Sequence, residues 1–198
     1  RNQERLEALA TELRSAHGVE VDVITIDLSR PGAAQELVEA VTARGREVDV
    51  LVNNAGFGVL TRFDQEPVET YTAMLELNVV ALTELTRLCL PGMLARGRGQ
   101  ILNVASTASF QPGPNAAVYY ASKAYVRSFS EAIAEELRGT GVTVTALCPG
   151  PTRTQFGARS QMGDTLLFRY AMESAPVALA GYRALRRGRT TIVTGFGN

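Results

Sequence analysis

Val48-Asp49-Val50-Leu51-Val52-Asn53-Asn54-Ala55-Gly56 is the segment that most constrains the fold. Its first five residues are apolar except for Asp49, and small or amide-bearing residues follow at once. A short apolar run bounded in this way reads as a buried strand. Upstream, Val19 to Leu28 alternates in the manner of a second strand, with Val19, Val21 and Val23, then Ile24, Ile26 and Leu28. Between the two lies a helix that Ser29 can cap, with Pro31 tolerated in its first turn. Leu37, Val38 and Val41 would line its inner face and Gly45 would close it. Strand, helix and strand in succession predict a parallel, right-handed crossover, and hence an α/β sheet. Ligands bind such sheets beyond the carboxyl ends of the strands, where Asn53 to Gly56 falls. Small residues there admit a nucleotide close to the backbone, and the Asn amides can hold neighbouring strands; a bare turn also favours Asn and Gly.

Further out the same alternation of elements continues. Arg1 to Ala16 carries Leu6, Leu9, Ala10 and Leu13 at helical spacing, and Gly18 stops it. Val68 to Leu94 reads as one long helix with Met74, Leu75, Leu82, Leu85 and Leu88 inside. Asn78 is out of place there, because Asn competes for backbone hydrogen bonds; a satisfied polar group in the core is one account. Gln100 to Val104 is a strand with Ser106 at its tip, and Val142 to Leu147 and Thr190 to Thr194 are two more. Ser174 and Pro176 start a last helix. Tyr119 opens a helix that buries Phe129, Ile133 and Leu137, so Tyr119 and Lys123 at i and i+4 share a face. A phenol titrates near pH ~10, and an adjacent ammonium favours the phenolate, tuning it towards general acid–base work. A hydroxyl at Ser106 can hold a substrate oxygen while the phenol exchanges its proton.

Composition narrows the class. The 198 residues suit one domain covering 1–198. Twenty basic and twenty acidic residues balance, which gives no support to a nucleic-acid or membrane-surface role. No apolar run approaches the ~20 residues of a membrane span, and the charged, amphipathic start does not read as a signal peptide. Cys89 and Cys148 lie in apolar segments far apart, as buried small hydrophobes do, which fits a cytoplasmic location. No residue is assigned to a metal.

Asn53-Asn54-Ala55-Gly56, Asn78, Ser106, Tyr119, Lys123 and Pro149-Gly150 stand in an order and spacing that resembles the short-chain dehydrogenases/reductases over nearly the whole chain. The resemblance implies a Rossmann-like, doubly wound parallel sheet and an NAD(P)-dependent oxidoreductase interconverting a carbonyl and an alcohol. It assigns proton transfer to Tyr119, substrate positioning to Ser106, and a lowered Tyr119 pKa and a grip on the nicotinamide ribose to Lys123. Asn78 would kink its helix and free a carbonyl for a water beside the lysine. Asn54, Ala55 and Gly56 would pack on the cofactor, with Asp27 at the adenine edge and Leu28 beside it. Pro149, Gly150 and Thr152 would border the nicotinamide and Thr154 the phosphates. Ser109 and Tyr120 have the wrong offsets for the Ser and Tyr roles.

Arg1, where members using NADP often carry a base, favours NADP over NAD through a bidentate contact to the 2′-phosphate. Gln155 to Met172, with Phe156, Met162, Leu166, Leu167, Phe168 and Tyr170, would be a mobile lid. Its apolar content suits a hydrophobic carbonyl or alcohol substrate, or equally a cover for the core. A homo-oligomer is implied. The family begins with a strand, a Gly-rich phosphate turn, a helix and a second strand that this chain lacks, so the chain reads as N-terminally truncated. The family's strand order, 3-2-1-4-5-6-7, then predicts no ladder between Val19–Leu28 and Val48–Val52. Two other functions stay open: a lyase or epimerase on the same fold, and a catalytically silent nucleotide-binding or oligomerisation subunit.

Overall fold

The computed structural model describes residues 2–154, 156–157 and 171–195. Helix α1 (Gln3–His17) starts where the Asn2 side chain accepts from the Arg5 amide at 3.0 Å, and stops at Gly18 in the left-handed region. Its apolar stripe stays largely uncovered: Ala10 is buried, whereas Leu6 and Leu9 are exposed.

Val19 to Leu28 is the first correction. No strand forms there, because no described strand lies beside it to complete a ladder. The Arg14 guanidinium of α1 donates to the Val21 carbonyl. Helix α2 (Ala33–Thr42) is the second correction: Gly32, at φ 78°, is its N-cap, and the Ser29 hydroxyl turns back to Asp27 Oδ1 at 2.7 Å. An aspartate acceptor two residues away competes with the helix end for that hydroxyl.

The sheet itself is parallel, in the order β1 (Val50–Asn53), β2 (Gly99–Val104), β3 (Val142–Pro149), β6 (Thr191–Thr194). A two-residue parallel ladder joins β4 (Thr152–Arg153) to β5 (Met172–Glu173). Alternate residues of β2 supply two cores. Ile101 packs with Met93, Val144 and Leu137, under helices α4 (Ala81–Ala95) and α5 (Ala117–Glu136). Leu102 packs with Leu147, Val177 and Leu185, under helix α6 (Ser174–Arg186). Helices on both faces of a parallel sheet make the fold a Rossmann-like, doubly wound one.

No ladder joins Val19–Leu28 to β1, which bonds to β2 alone among the described strands. Val50 and Val52 consequently keep 45% and 51% of their surface exposed. Among the described residues no helix is long and apolar enough to cross a membrane.

The long helix expected from Val68 is continuous in space but not in winding. Helix α3 (Val68–Leu75) passes through a π turn at Glu76–Val80 into α4. Asn78 sits within that turn and is 1% exposed. A π turn inserts one extra residue, and such turns collect at functional sites. A buried polar ladder crosses the middle of the molecule. Asn53 Nδ2 donates to Thr86 Oγ1 at 3.1 Å and to Asn103 Oδ1 at 2.8 Å, and Asn103 Nδ2 donates to Ser130 Oγ at 2.9 Å. The ladder links α4, β1, β2 and α5 through side chains that are otherwise shut off from water.

Candidate active site

Parallel strands deliver their carboxyl ends to one edge of the sheet. Asn54 and Gly56 follow β1, Ala105 and Ser106 follow β2, and Gly150, Thr152 and Thr154 follow Pro149 of β3. All of these line one cavity of about 1050 Å³, together with Pro149, Tyr119 and Lys123.

Helix α5 begins at Ala117, two residues before Tyr119, so the phenol stands in the first turn rather than at its opening. Tyr119 and Lys123 are buried on the face that α5 turns to the sheet, in line with Ser122, Val126 and Ser130. The Tyr119 ring is wedged between Tyr120, at 6.0 Å between centroids, and Phe156, at 5.4 Å. Ser106 has an extended backbone and caps a short 3-10 turn, Thr107–Phe110, by accepting from the Ala108 amide at 3.1 Å. Ser109, in that turn, spends its hydroxyl on the Ser106 carbonyl at 2.6 Å.

Lys123 Nζ donates to the Val104 carbonyl at 2.8 Å and stands 6.0 Å from the Tyr119 ring centroid. Burial, the main cause, pushes the Tyr119 phenol up to about 12, against a hydrogen bond with Ser106 that pulls it down. Burial also brings Lys123 down to about 8 from an ordinary 10.5. Desolvation of the phenolate is the leading influence on Tyr119, while the Lys123 ammonium, itself desolvated, is engaged by the Val104 carbonyl.

Asn78 reaches the site through the chain that follows β1. Its Oδ1 accepts from the Phe57 amide at 3.0 Å, and its Nδ2 donates to the Phe57 carbonyl at 2.9 Å and to Ser122 Oγ at 3.1 Å. Ser122 Oγ in turn donates to the Tyr119 carbonyl at 2.7 Å. The Asn78 amide thereby clamps the Gly56–Gly58 loop onto α5. Both glycines are required by closeness. A Cβ on Gly56 would lie 2.9 Å from Asn78 Oδ1 and 3.4 Å from Lys123 Nζ; one on Gly58 would lie 2.7 Å from Tyr119 Cδ2.

The cavity thus gathers Asn54, Gly56, Ser106, Tyr119, Lys123, Pro149, Gly150, Thr152 and Thr154, with Asn78 behind it. Asp27, Leu28 and Ala55 are not in its wall. Arg1 and most of the expected lid, including Met162, Leu166, Leu167, Phe168 and Tyr170, lie outside the described residues; Phe156 is in the wall. Small residues and hydroxyls at the strand ends fit the nicotinamide half of a dinucleotide: a flat ring can lie against Pro149 and Gly150 with Ser106, Thr152 and Lys123 offering polar atoms. Sequence reasoning missed Ser122, Gly58 and the ladder residues Thr86, Asn103 and Ser130. A signal existed for two of them, since Ser122 and Ser130 recur with Tyr119, Lys123 and Val126 on one helical face.

A family model described as short chain dehydrogenase matches residues 1–164. The NADP-dependent 3-hydroxy acid dehydrogenase YdfG of Salmonella typhi is 39% identical over 166 residues, which is 83% of this chain and 65% of that protein. The chain thus spans just under two thirds of the length of this curated relative. Among solved structures, a short-chain dehydrogenase from Sphingobium yanoikuyae in complex with NADPH superposes with a TM-score of 0.89 at 31% identity, over 100% of this chain and 77% of that one. A variant of the actinorhodin polyketide ketoreductase with NADPH gives a TM-score of 0.86 at 32% identity, over 100% and 84%. The matched span carries the π-turn Asn78 and the cavity wall of Ser106, Tyr119 and Lys123, and the chain belongs to the short-chain dehydrogenase family.

Proposed function

We propose that the protein containing this chain is an NADP-dependent oxidoreductase that interconverts a carbonyl and an alcohol. The observation carrying this reading is the meeting of Ser106, Tyr119 and Lys123 in one cavity at the carboxyl edge of a parallel sheet. The relatives, an NADP-dependent dehydrogenase and an NADPH-bound one, support the choice of cofactor.

When bound, the nicotinamide supplies or accepts the hydride. Pro149, Gly150 and Thr152 would hold its ring end, Lys123 its ribose, and Thr154 its phosphate end. In reduction the Tyr119 phenol gives its proton to the substrate oxygen as the carbonyl carbon receives hydride; oxidation reverses both. Ser106 donates to the same oxygen and keeps it within reach of the phenol. At neutral pH the phenol carries its proton, but the upward shift by burial makes it a weaker acid than a free phenol. A cationic cofactor ring and a ribose-bound ammonium nearby would lower that value on binding. The two free cysteines agree with a reducing, cytoplasmic setting.

Tyr119→Phe tests the reading in the intact protein. Removing the hydroxyl deletes the transferable proton and keeps the ring packed between Tyr120 and Phe156. Turnover of NADPH with a panel of aldehydes and ketones is expected to fall by ~10²–10⁴-fold with NADPH affinity retained. Near-normal turnover by the variant would move proton transfer to another residue.

A further inference from the structure

The helix that carries Tyr119 begins without help from a side chain. Its N-cap is Ala116, and no side-chain hydrogen bond caps it among the described residues. The first amides of a helix have no partner within it, so an uncapped first turn frays readily. Tyr119 stands in that turn. One turn on, Lys123 is fixed by its own bond to the Val104 carbonyl at 2.8 Å. The Tyr119 backbone is reached through Ser122, whose Oγ donates to the Tyr119 carbonyl at 2.7 Å.

A serine that bonds a carbonyl three residues back is common in helices and by itself decides nothing. Ser122 also has a partner on another element: Asn78 Nδ2 of the π turn donates to its Oγ at 3.1 Å, and both residues are 1% exposed. The direction of the Asn78 amide is set by Phe57, because Oδ1 takes the Phe57 N–H at 3.0 Å and Nδ2 donates to the Phe57 carbonyl at 2.9 Å. The Ser122 hydroxyl must therefore accept from Asn78, which leaves its one proton for the Tyr119 carbonyl. Such directed bonds, closed to water, reinforce one another. Gly56 lies beside the same junction, since a Cβ there would stand 2.9 Å from Asn78 Oδ1 and 3.4 Å from Lys123 Nζ.

We propose that Ser122 is a positioning residue for the proton transfer: it ties the first turn of α5 to the π turn and the Gly56–Gly58 loop, and so holds the Tyr119 phenol beside Ser106. The proposal rests on the oxidoreductase reading above. Ser122 itself is not in the cavity wall.

The test uses the intact protein loaded with NADPH and the aldehyde or ketone of the panel that the wild type reduces fastest. Single-turnover oxidation of bound NADPH gives a rate constant that misfolded protein does not lower. Ser122→Ala removes both bonds, Ser122→Cys keeps the volume with a weak donor and acceptor, and Ser122→Thr keeps the hydroxyl. Ser122→Ala and Ser122→Cys are each expected to slow the rate constant by ~10–100-fold, the scale of a misplaced reacting group, with the NADPH Kd changed by less than ~3-fold. Ser122→Thr is expected to stay within ~3-fold of the wild type, because a threonine hydroxyl can make the same bond back along the helix. Without cofactor, the Phe57 amide held by Asn78 is expected to exchange its hydrogen ~10-fold faster in Ser122→Ala. A wild-type rate constant in Ser122→Ala, one restored by Ser122→Cys, or losses matched by equal losses of NADPH affinity overturn the positioning role and leave the oxidoreductase reading in place. A folded Ser122→Thr as slow as Ser122→Ala does the same; should Ser122→Thr fold poorly, Ser122→Ala against Ser122→Cys decides. Absence of NADPH oxidation by the wild type across the panel overturns both.

Discussion

Gly58 is pressed against the ring whose hydroxyl is assigned the proton. Its φ lies outside the left-handed region, so alanine meets no backbone strain there; it meets Tyr119 Cδ2 at 2.7 Å and Cγ at 3.0 Å. Gly58→Ala is therefore expected to displace the phenol and lower kcat by about tenfold to a hundredfold with little change in NADPH Kd. Steady-state kinetics beside a binding titration would check this, and an unchanged kcat would mean that the ring has room. Lys123 makes a second prediction at this scale. Its folded value of about 8 lies below the ordinary 10.5, so between those pH values the unfolded chain holds a proton that the folded protein has released. Stability from this group therefore rises as pH climbs from about 8 to 10.5, and the cost of the buried ammonium is complete below about 8. Tyr119 acts in the reverse sense above pH 10, where the folded state keeps the proton longer. In cofactor-free intact protein, Lys123→Met should flatten the rise between pH 8 and 10, read from urea midpoints. An equal rise in the variant would assign it to other groups.

At the scale of elements, the active helix is registered by polar contacts at two heights. Ser122 is tied to Asn78 of the π turn, and two turns further on Ser130 is tied to Asn103 of β2, which is bonded in turn to Asn53. The parallel pairing of Asn53 with Asn103 brings the two amides side by side. Asn103→Ala removes one acceptor and one donor from a site closed to water, leaving Asn53 Nδ2 and Ser130 Oγ each short of a partner. Unsatisfied buried groups cost ~1–3 kcal/mol each, so a loss of roughly 2–5 kcal/mol is expected. Chemical denaturation measures it, and a loss under ~1 kcal/mol would mean that water or a rotated side chain satisfies them. Asn53 at a strand end could be read from the sequence as a holder of neighbouring strands. Its partners Thr86, Asn103 and Ser130 could not, because contacts 27 to 50 residues apart leave no local pattern.

Taken whole, the molecule presents β1 as an open edge among the described strands, with Val50 and Val52 about half exposed beside it. An apolar edge of unpaired backbone groups recruits other strands. These 198 residues, expressed by themselves, are therefore expected to self-associate, with broad unfolding, and Val52→Lys to reduce the association by placing a charge on that face. Size-exclusion chromatography and a thermal melt decide it. A monomer with a sharp cooperative melt, raised by NADPH, would refute the expectation.

Local pattern was sufficient for the parallel α/β fold, for the strand ends on one edge, for Ser106 at one of them and for a shared face for Tyr119 and Lys123; the family resemblance brought that pair to the same edge. Hydrophobic period and turn chemistry are near-neighbour properties, and the i, i+4 relation of Tyr119 and Lys123 needs only a helix. Val19 to Leu28 shows the limit of that reasoning. Its alternation is that of a strand, yet a strand exists only with a hydrogen-bonded neighbour, and neighbours are set by topology. Ser29 likewise had the chemistry of a cap, but Asp27 took its hydroxyl. Only the packed structure decided that Lys123 faces the Val104 carbonyl, that burial raises the Tyr119 phenol, and that Asn78 clamps Phe57. Desolvation and hydrogen-bond partnership depend on everything folded around a group, and no stretch of chain carries them alone.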